Sequence, residues 1–144
     1  IKWDNIEYKS GTLTAIARNG GKEVARHSLE TTGDAVALKL IPDVQTWHAD
    51  GKDLLHVRVI AVDKKGRRVL SAGENLHFAV NGDAEIVAVD NGNISSDELA
   101  VGSDRSLFMG SALVILRAGT SASNITLEVT SDKYKTQRIK LITK

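Results

Sequence analysis

Residues 76–93 read LHFAVNGDAEIVAVDNGN, and this stretch decides the fold class. Two short apolar runs, residues 76–80 and 84–89, flank Asn81-Gly82, and a second Asn-Gly pair follows at Asn91-Gly92. Both residue types tolerate the positive φ of a type I′ turn, so Asn-Gly between β-prone runs predicts a hairpin. The stretch predicts antiparallel β structure. It carries no nucleophile, metal cluster or phosphate loop.

The same rhythm extends in both directions. Twelve glycines and a single proline, Pro42, punctuate short extended runs. Residues 11–18 and 23–31 flank Asn19-Gly20-Gly21 and predict a first hairpin, with Leu13, Ala15 and Ala17 on one face and Thr12 and Thr14 on the other. A lone hairpin is marginal in water, so it must pack on the rest of the chain or on something upstream. Residues 35–41 predict a strand with Val36, Leu38 and Leu40 on one face, ended by Pro42, which cannot donate to a ladder. A polar loop over residues 43–53 contains Trp47.

Residues 54–62 give the clearest strand: Leu55, Val57, Val59 and Ala61 form one apolar face, and His56 and Arg58 point the other way. A turn at residues 63–66 leads to a short edge strand at 67–70. Residues 91–104 form a long polar loop with at most one helical turn near 96–99. The almost wholly apolar residues 112–117 predict a central strand. Residues 124–130 alternate cleanly, and residues 136–142 close the chain with Ile139 and Leu141 inward. No segment holds a 3.6-residue apolar period, so no long helix is expected. From Ala35 onward this makes about seven strands, the number of an immunoglobulin-like sandwich.

Composition narrows the function classes. The 144 residues suit one domain with a small appendage. Lys plus Arg number 19 and Asp plus Glu 18, a net charge of +1. That balance argues against a nucleic-acid binder or an anionic-membrane binder, whose basic residues dominate one face. There are no cysteines, which removes disulfides, thiolate zinc sites and cysteine nucleophiles and leaves the compartment open. No apolar run approaches the roughly 20 residues of a membrane span. No signal peptide is read, and the start at Ile1 points to a processed chain or an excised piece.

Candidate chemical residues are few. His27, His48, His56 and His77 are widely separated, with no helical i, i+4 pair, and read as outward-facing side chains rather than metal ligands. Asp43, Asp50 and Asp53 crowd one loop, as calcium ligands can, but the spacing is not that of an EF-hand and turn roles suit them better. Glu74, Glu85 and Glu98 could be paired for glycoside hydrolysis only if a cleft held two of them about 5–10 Å apart. Turns and loop ends favour surface solvation instead. Phe78 and Phe108 read as core. Among the aromatics Trp3, Tyr8, Trp47 and Tyr134, Trp47 is the candidate for a carbohydrate or interdomain contact, and a buried loop plug is its simpler reading. Asn93-Ile94-Ser95 and Asn124-Ile125-Thr126 fit the N-glycosylation pattern, which matters only in a eukaryotic secretory route.

One resemblance runs along nearly the whole chain. It is carried by Tyr8, Gly11-Thr12-Leu13-Thr14-Ala15, Gly21-Lys22-Glu23-Val24 and Leu29-Glu30-Thr31-Thr32-Gly33. It continues through Asp50-Gly51-Lys52-Asp53-Leu54, Val57-Arg58-Val59, Asp63-Lys64-Lys65-Gly66, Phe78, Val80-Asn81-Gly82, Ile86, Val89-Asp90-Asn91-Gly92 and Phe108-Met109-Gly110-Ser111-Ala112. In order and spacing these motifs resemble the C-terminal accessory region of family 2 glycoside hydrolases of the β-galactosidase type, especially those of gut Bacteroidetes. Ser10 and Ser123-Asn124 depart from the family's proline and glycine at two turns.

The resemblance implies that residues 1–32 are the last strands of one accessory domain and residues 33–144 an immunoglobulin-like domain akin to invasin-type repeats. The implied partners are the catalytic and accessory domains of a parent glycosidase, with carbohydrate a further candidate, and the implied location is periplasmic or secreted. The family's catalytic glutamates lie in a TIM barrel, which needs about 250 residues, so no catalytic residue is assigned here and no cofactor is expected. The rival readings are a carbohydrate-binding module and an adhesin-type repeat.

Overall fold

The computed structural model describes residues 4–144; residues 1–3, including Trp3, lie outside the described part. No α-helix occurs among the described residues. The chain divides into two compact units, Ile1–Thr32 and Gly33–Lys144.

The first unit is a β-hairpin of β1 (Thr12–Asn19) and β2 (Lys22–Glu30). Gly20 and Gly21 form its two-residue loop with φ of +54° and +82°, both positive as a type I′ turn requires. A bulge beside Ala17 and Arg18 lets Ala17 face Ala25 and Arg18 face Glu23. Thr14 and Ser28 meet hydroxyl to hydroxyl at 2.8 Å. Every residue of both strands is exposed. Full burial of a Leu or Val contributes about 2 kcal/mol, and this hairpin has no such burial.

The second unit is a two-sheet sandwich. Its strands are β3 (Ala37–Pro42), β4 (Thr46–Trp47), β5 (Leu54–Val62), β6 (Asn75–Asn81), β7 (Ala84–Asp90), β8 (Asp104–Ser106), β9 (Ser111–Ala118), β10 (Asn124–Thr130) and β11 (Gln137–Thr143). One sheet runs β3-β5-β9-β7 and the other β4-β11-β10-β6-β8. All pairings are antiparallel except β4 with β11. Two-residue periodicity feeds a single core between the sheets. Leu55, Val57, Val59, Val114 and Leu116 face Phe78, Ile125, Leu127 and Leu141 across it. Tyr134 closes the same core and keeps its hydroxyl on Glu74 at 2.7 Å.

Several expectations change. The strands on either side of Asn81-Gly82 exist, but they do not form a hairpin: β6 pairs with β10 and β8, and β7 pairs with β9. The turn carries the chain from one sheet to the other. Asn81 does not adopt positive φ. Gly82 does, at +108°, and a Cβ there would lie 2.6 Å from the main-chain oxygen of Asn124. Close approach, rather than a type I′ turn, requires the glycine.

Residues 67–70 form no strand; Arg68 makes one isolated bridge to Val62, and Val69 donates to the Ala61 carbonyl oxygen at 2.9 Å. No helical turn forms near 96–99, which is within the expectation of at most one. Phe108 is 38% exposed, not core. It flanks a tight turn, Met109-Gly110, with both φ positive at +49° and +70°, and Phe108 and Ser111 exchange main-chain hydrogen bonds of 2.9 and 3.0 Å. A side chain at Gly110 would run into the Val69 carbonyl. The short strands β4 and β8 were not foreseen.

Candidate functional site

Many polar side chains of the sandwich are held by partners within the fold. The densest cluster gathers where the loop after β7 returns to β8. Arg105, on β8, lies opposite Leu76 and so points inward, and only 4% of it is exposed. Its guanidinium donates to the Glu98 carbonyl oxygen at 3.0 Å and to Asn91 Oδ1 at 3.1 Å, and lies 3.5 Å from Asp90 Oδ1. Asn91 Nδ2 donates to the Ser106 carbonyl oxygen at 2.8 Å. Glu98 Oε1 accepts the Ser106 N–H at 2.8 Å, and its Oε2 accepts the Ser96 hydroxyl at 2.9 Å.

The electrostatics follow from these partners. The Ser106 N–H holds Glu98 below its ordinary carboxylate value, with Ser96 and Arg105 adding to the effect. The N–H groups of Gly92 and Asn91 do the same for Asp90. A buried guanidinium needs several acceptors to offset its desolvation, and this loop supplies them. The Asp90-Asn91-Gly92 motif is thus the acceptor half of a structural clamp. Nothing in the sequence marks Arg105 as inward, because β8 is three residues long and otherwise polar.

The other singled-out carboxylates are also occupied. Glu74 accepts from Tyr134 and from the Lys133 ammonium. Burial pushes Glu74 upward, but these two donors outweigh it and the net shift is downward. Glu85 pairs with Arg117 across β7 and β9. Asp63, 4% exposed, accepts from the Arg67 side chain at 2.9 and 2.6 Å and from the N–H groups of Gly33, Lys65 and Arg67. Its carboxyl is held far below the usual range, with the Arg67 side chain the main cause. Asp50, Asp53, Asp63, Glu74, Asp90 and Glu98 are all held below their ordinary carboxylate values. A general acid of the glycosidase type needs the opposite displacement.

The loop aspartates make turn contacts. Asp50 Oδ1 accepts the N–H groups of Lys52 and Asp53 at 2.8 and 2.7 Å. Asp53 Oδ2 accepts the His48 N–H at 2.9 Å and meets its Nδ1 at 3.1 Å. Asp43 holds the His56 N–H and ring, and His77 meets Asp104 at 3.0 Å. These are separate two-member pairs. No three His, Asp or Glu side chains converge on a possible metal site among the described residues. His27 lies opposite Ala15 on the hairpin. A depression of about 170 Å³ is lined by Ile41, Pro42, Asp43, His56, Arg58 and Leu113. It offers an Asp–His pair without a nucleophile.

Trp47 sits in β4, whose parallel pairing with β11 locks the loop onto the sandwich. It is 2% exposed and packs in the core cluster. As placed, its ring presents no face on which a pyranose could stack. Asn124 opens β10 at an exposed position, and Asn93 Oδ1 caps the Ser95 N–H at 3.1 Å.

Comparison with known proteins follows the same lines. Beta-galactosidase BoGH2A of Bacteroides ovatus is 33% identical over 141 residues, which cover 98% of this chain and 16% of that enzyme. The crystal structure of a glycosyl hydrolase family 2 member from Bacteroides cellulosilyticus superposes with a TM-score of 0.94 at 33% identity, over 96% of this chain and 18% of that one. The D00-D0 domain of intimin shares the fold alone, with a TM-score of 0.56 at 14% identity over 94% of this chain and 66% of that one. The chain thus spans less than a fifth of the glycosidases it matches. Residues 38–140 match the family described as glycoside hydrolase family 2 C-terminal domain 5. With well over half of its residues inside that match, the chain belongs to the C-terminal domain 5 family of glycoside hydrolase family 2.

Proposed function

We propose that this chain is a non-catalytic accessory part of a larger family 2 glycosidase of the β-galactosidase kind, and that it acts as a scaffold for neighbouring domains. One observation carries the reading: 98% of the chain aligns with 16% of a β-galactosidase. A TIM barrel takes about 250 residues, so the catalytic part of such a parent lies elsewhere. The site chemistry agrees, since Asp63, Glu74, Glu85 and Glu98 are each held by donors of the fold itself.

Residues 1–32 act as the closing strands of a preceding accessory domain. Support comes from β1 and β2, which are exposed throughout and form a hairpin that is marginal by itself. The partners are then the catalytic and accessory domains of the parent.

The test is direct. The purified 144-residue chain should not hydrolyse a nitrophenyl β-galactoside above the blank. Turnover at an enzyme-like rate overturns the reading.

A further inference from the structure

Three Asn-Gly pairs punctuate the chain: Asn19-Gly20, Asn81-Gly82 and Asn91-Gly92. Such a pair carries chemistry as well as turn geometry. The main-chain nitrogen of the glycine can attack the Asn side-chain carbonyl carbon, and glycine has no Cβ to obstruct the approach. The new C–N bond closes a succinimide ring, and the bond from that carbon to Nδ2 breaks as ammonia leaves. Water then opens the ring at either carbonyl and gives Asp or isoaspartate. The sum is one water in and one ammonia out, with no other reactant. Ring closure requires the side chain to swing onto the next main-chain nitrogen, so whatever pins either group slows it.

The fold treats the three pairs differently. At Asn91 both ends of the side-chain amide are held. Nδ2 donates to the Ser106 carbonyl oxygen at 2.8 Å, and Oδ1 accepts from Arg105 at 3.1 Å and from the Asn93 N–H at 2.9 Å. The attacking group is engaged too, since the Gly92 N–H donates to Asp90 Oδ1 at 3.1 Å. At Asn81 the main chain is fixed opposite Thr126 in the β6–β10 ladder, and Gly82 is wedged against Asn124. Asn19 escapes all of this. Its side chain makes no hydrogen bond among the described residues, and neither does the Gly20 N–H. Nothing lies within 4 Å of where a Cβ would stand on Gly20. The loop also closes a hairpin with no buried residue, which opens at little cost.

We propose that Asn19 is the site of spontaneous deamidation in this chain, and that the Arg105 clamp withholds Asn91 from the same reaction. The clamp then protects a bond as well as packing a loop. An Asp at position 91 would present an acceptor to the Ser106 carbonyl oxygen, where the native amide donates. At position 19 the new carboxylate faces solvent. The isoaspartyl product matters more there: it adds a main-chain carbon to a two-residue loop whose register depends on its length.

Peptide mapping by mass spectrometry of the 144-residue chain, after incubation in mildly alkaline buffer, tests this. The peptide with Asn19 should show the mass gain of deamidation severalfold faster than the peptides with Asn81 and Asn91. Equal rates, or a faster gain at either of the other two, overturn the proposal. The order should vanish when the chain is unfolded in urea. A lead kept by Asn19 there means that its sequence neighbours set the rate, which also overturns it. Arg105→Met should speed the gain at Asn91 severalfold and leave Asn81 unchanged. An unchanged Asn91 overturns the role of the clamp, and so does an equal rise at Asn81, which reports general unfolding instead.

Discussion

Gly82 and Asn124 pack so closely that a Cβ on residue 82 would lie 2.6 Å from the Asn124 main-chain oxygen, at the point where the chain passes from one sheet to the other. Gly82→Ala adds that clash to an unfavourable φ of +108°. It should cost about 3 kcal/mol and lower the melting temperature by about 10 °C. Gly92→Ala is the control: its φ is +77°, but nothing lies within 4 Å of the added atom. It should cost only about 1 kcal/mol. Urea denaturation of the two variants, side by side, checks the contrast.

Arg105→Met removes the donor that Asn91 Oδ1 and the Glu98 carbonyl share. Leaving the acceptors of a buried charge unmatched should cost about 3 kcal/mol. Arg105→Lys should recover little, because an ammonium cannot span the acceptors that the planar guanidinium reaches. Limited proteolysis after Glu98 gives a local readout. Cleavage should speed up in both variants well below the global unfolding midpoint.

The Asp63 carboxyl ionises far below its unfolded value, chiefly through Arg67. A depressed folded value makes its contribution complete above the unfolded carboxylate range, about pH 4, and progressively lost as the pH falls below that. Asp63→Asn should therefore melt lower than the parent sequence at pH 7. The gap between the two should narrow as the pH drops below about 4. Thermal melts from pH 7 to pH 2 measure it, and a constant gap would contradict the assignment.

Tyr134 ionises above the ordinary tyrosine value, first because it is buried and second because its hydroxyl donates to Glu74. Glu74→Gln removes the charge and should bring that ionisation back down. Absorbance titration at alkaline pH, in a chain carrying Tyr8→Phe, isolates the signal. Tyr134→Phe should cost about 2 kcal/mol, the size of a hydrogen bond to a charged acceptor.

Legibility in the sequence followed the length and regularity of each strand. Leu54–Val62 and Asn124–Thr130 were readable to the residue because an apolar residue at every second position, with His56 and Arg58 or Thr126 and Glu128 between, marks the inward face. β4 and β8, two and three residues long, are too short to show a period. Asn81-Gly82 was misread for a physical reason: a strand–turn–strand pattern is local and does not reveal whether the strands bond to each other or enter different sheets. At Gly20-Gly21 the same logic succeeded, because there the two strands do pair. The clamp was half visible. Asp90-Asn91-Gly92 stood out as a turn, but Arg105 acquires its role only when β8 pairs with β6 and turns it inward.

The parallel pairing of β4 with β11 also bears on how the protein is made. β11 lies between β4 and β10, and Lys144 donates to the Trp47 carbonyl oxygen at 3.0 Å while accepting from the Ala49 N–H at 2.8 Å. The sheet that seats Trp47 therefore cannot close until residues 137–144 have cleared the ribosome. During synthesis the earlier strands wait, with Phe78, Leu127 and Trp47 uncovered, for a partner nearly a hundred residues downstream of Trp47. For this domain, truncation of the last strand is a failure of birth as well as of stability, and nascent chains stalled before residue 137 should be the ones that chaperones hold.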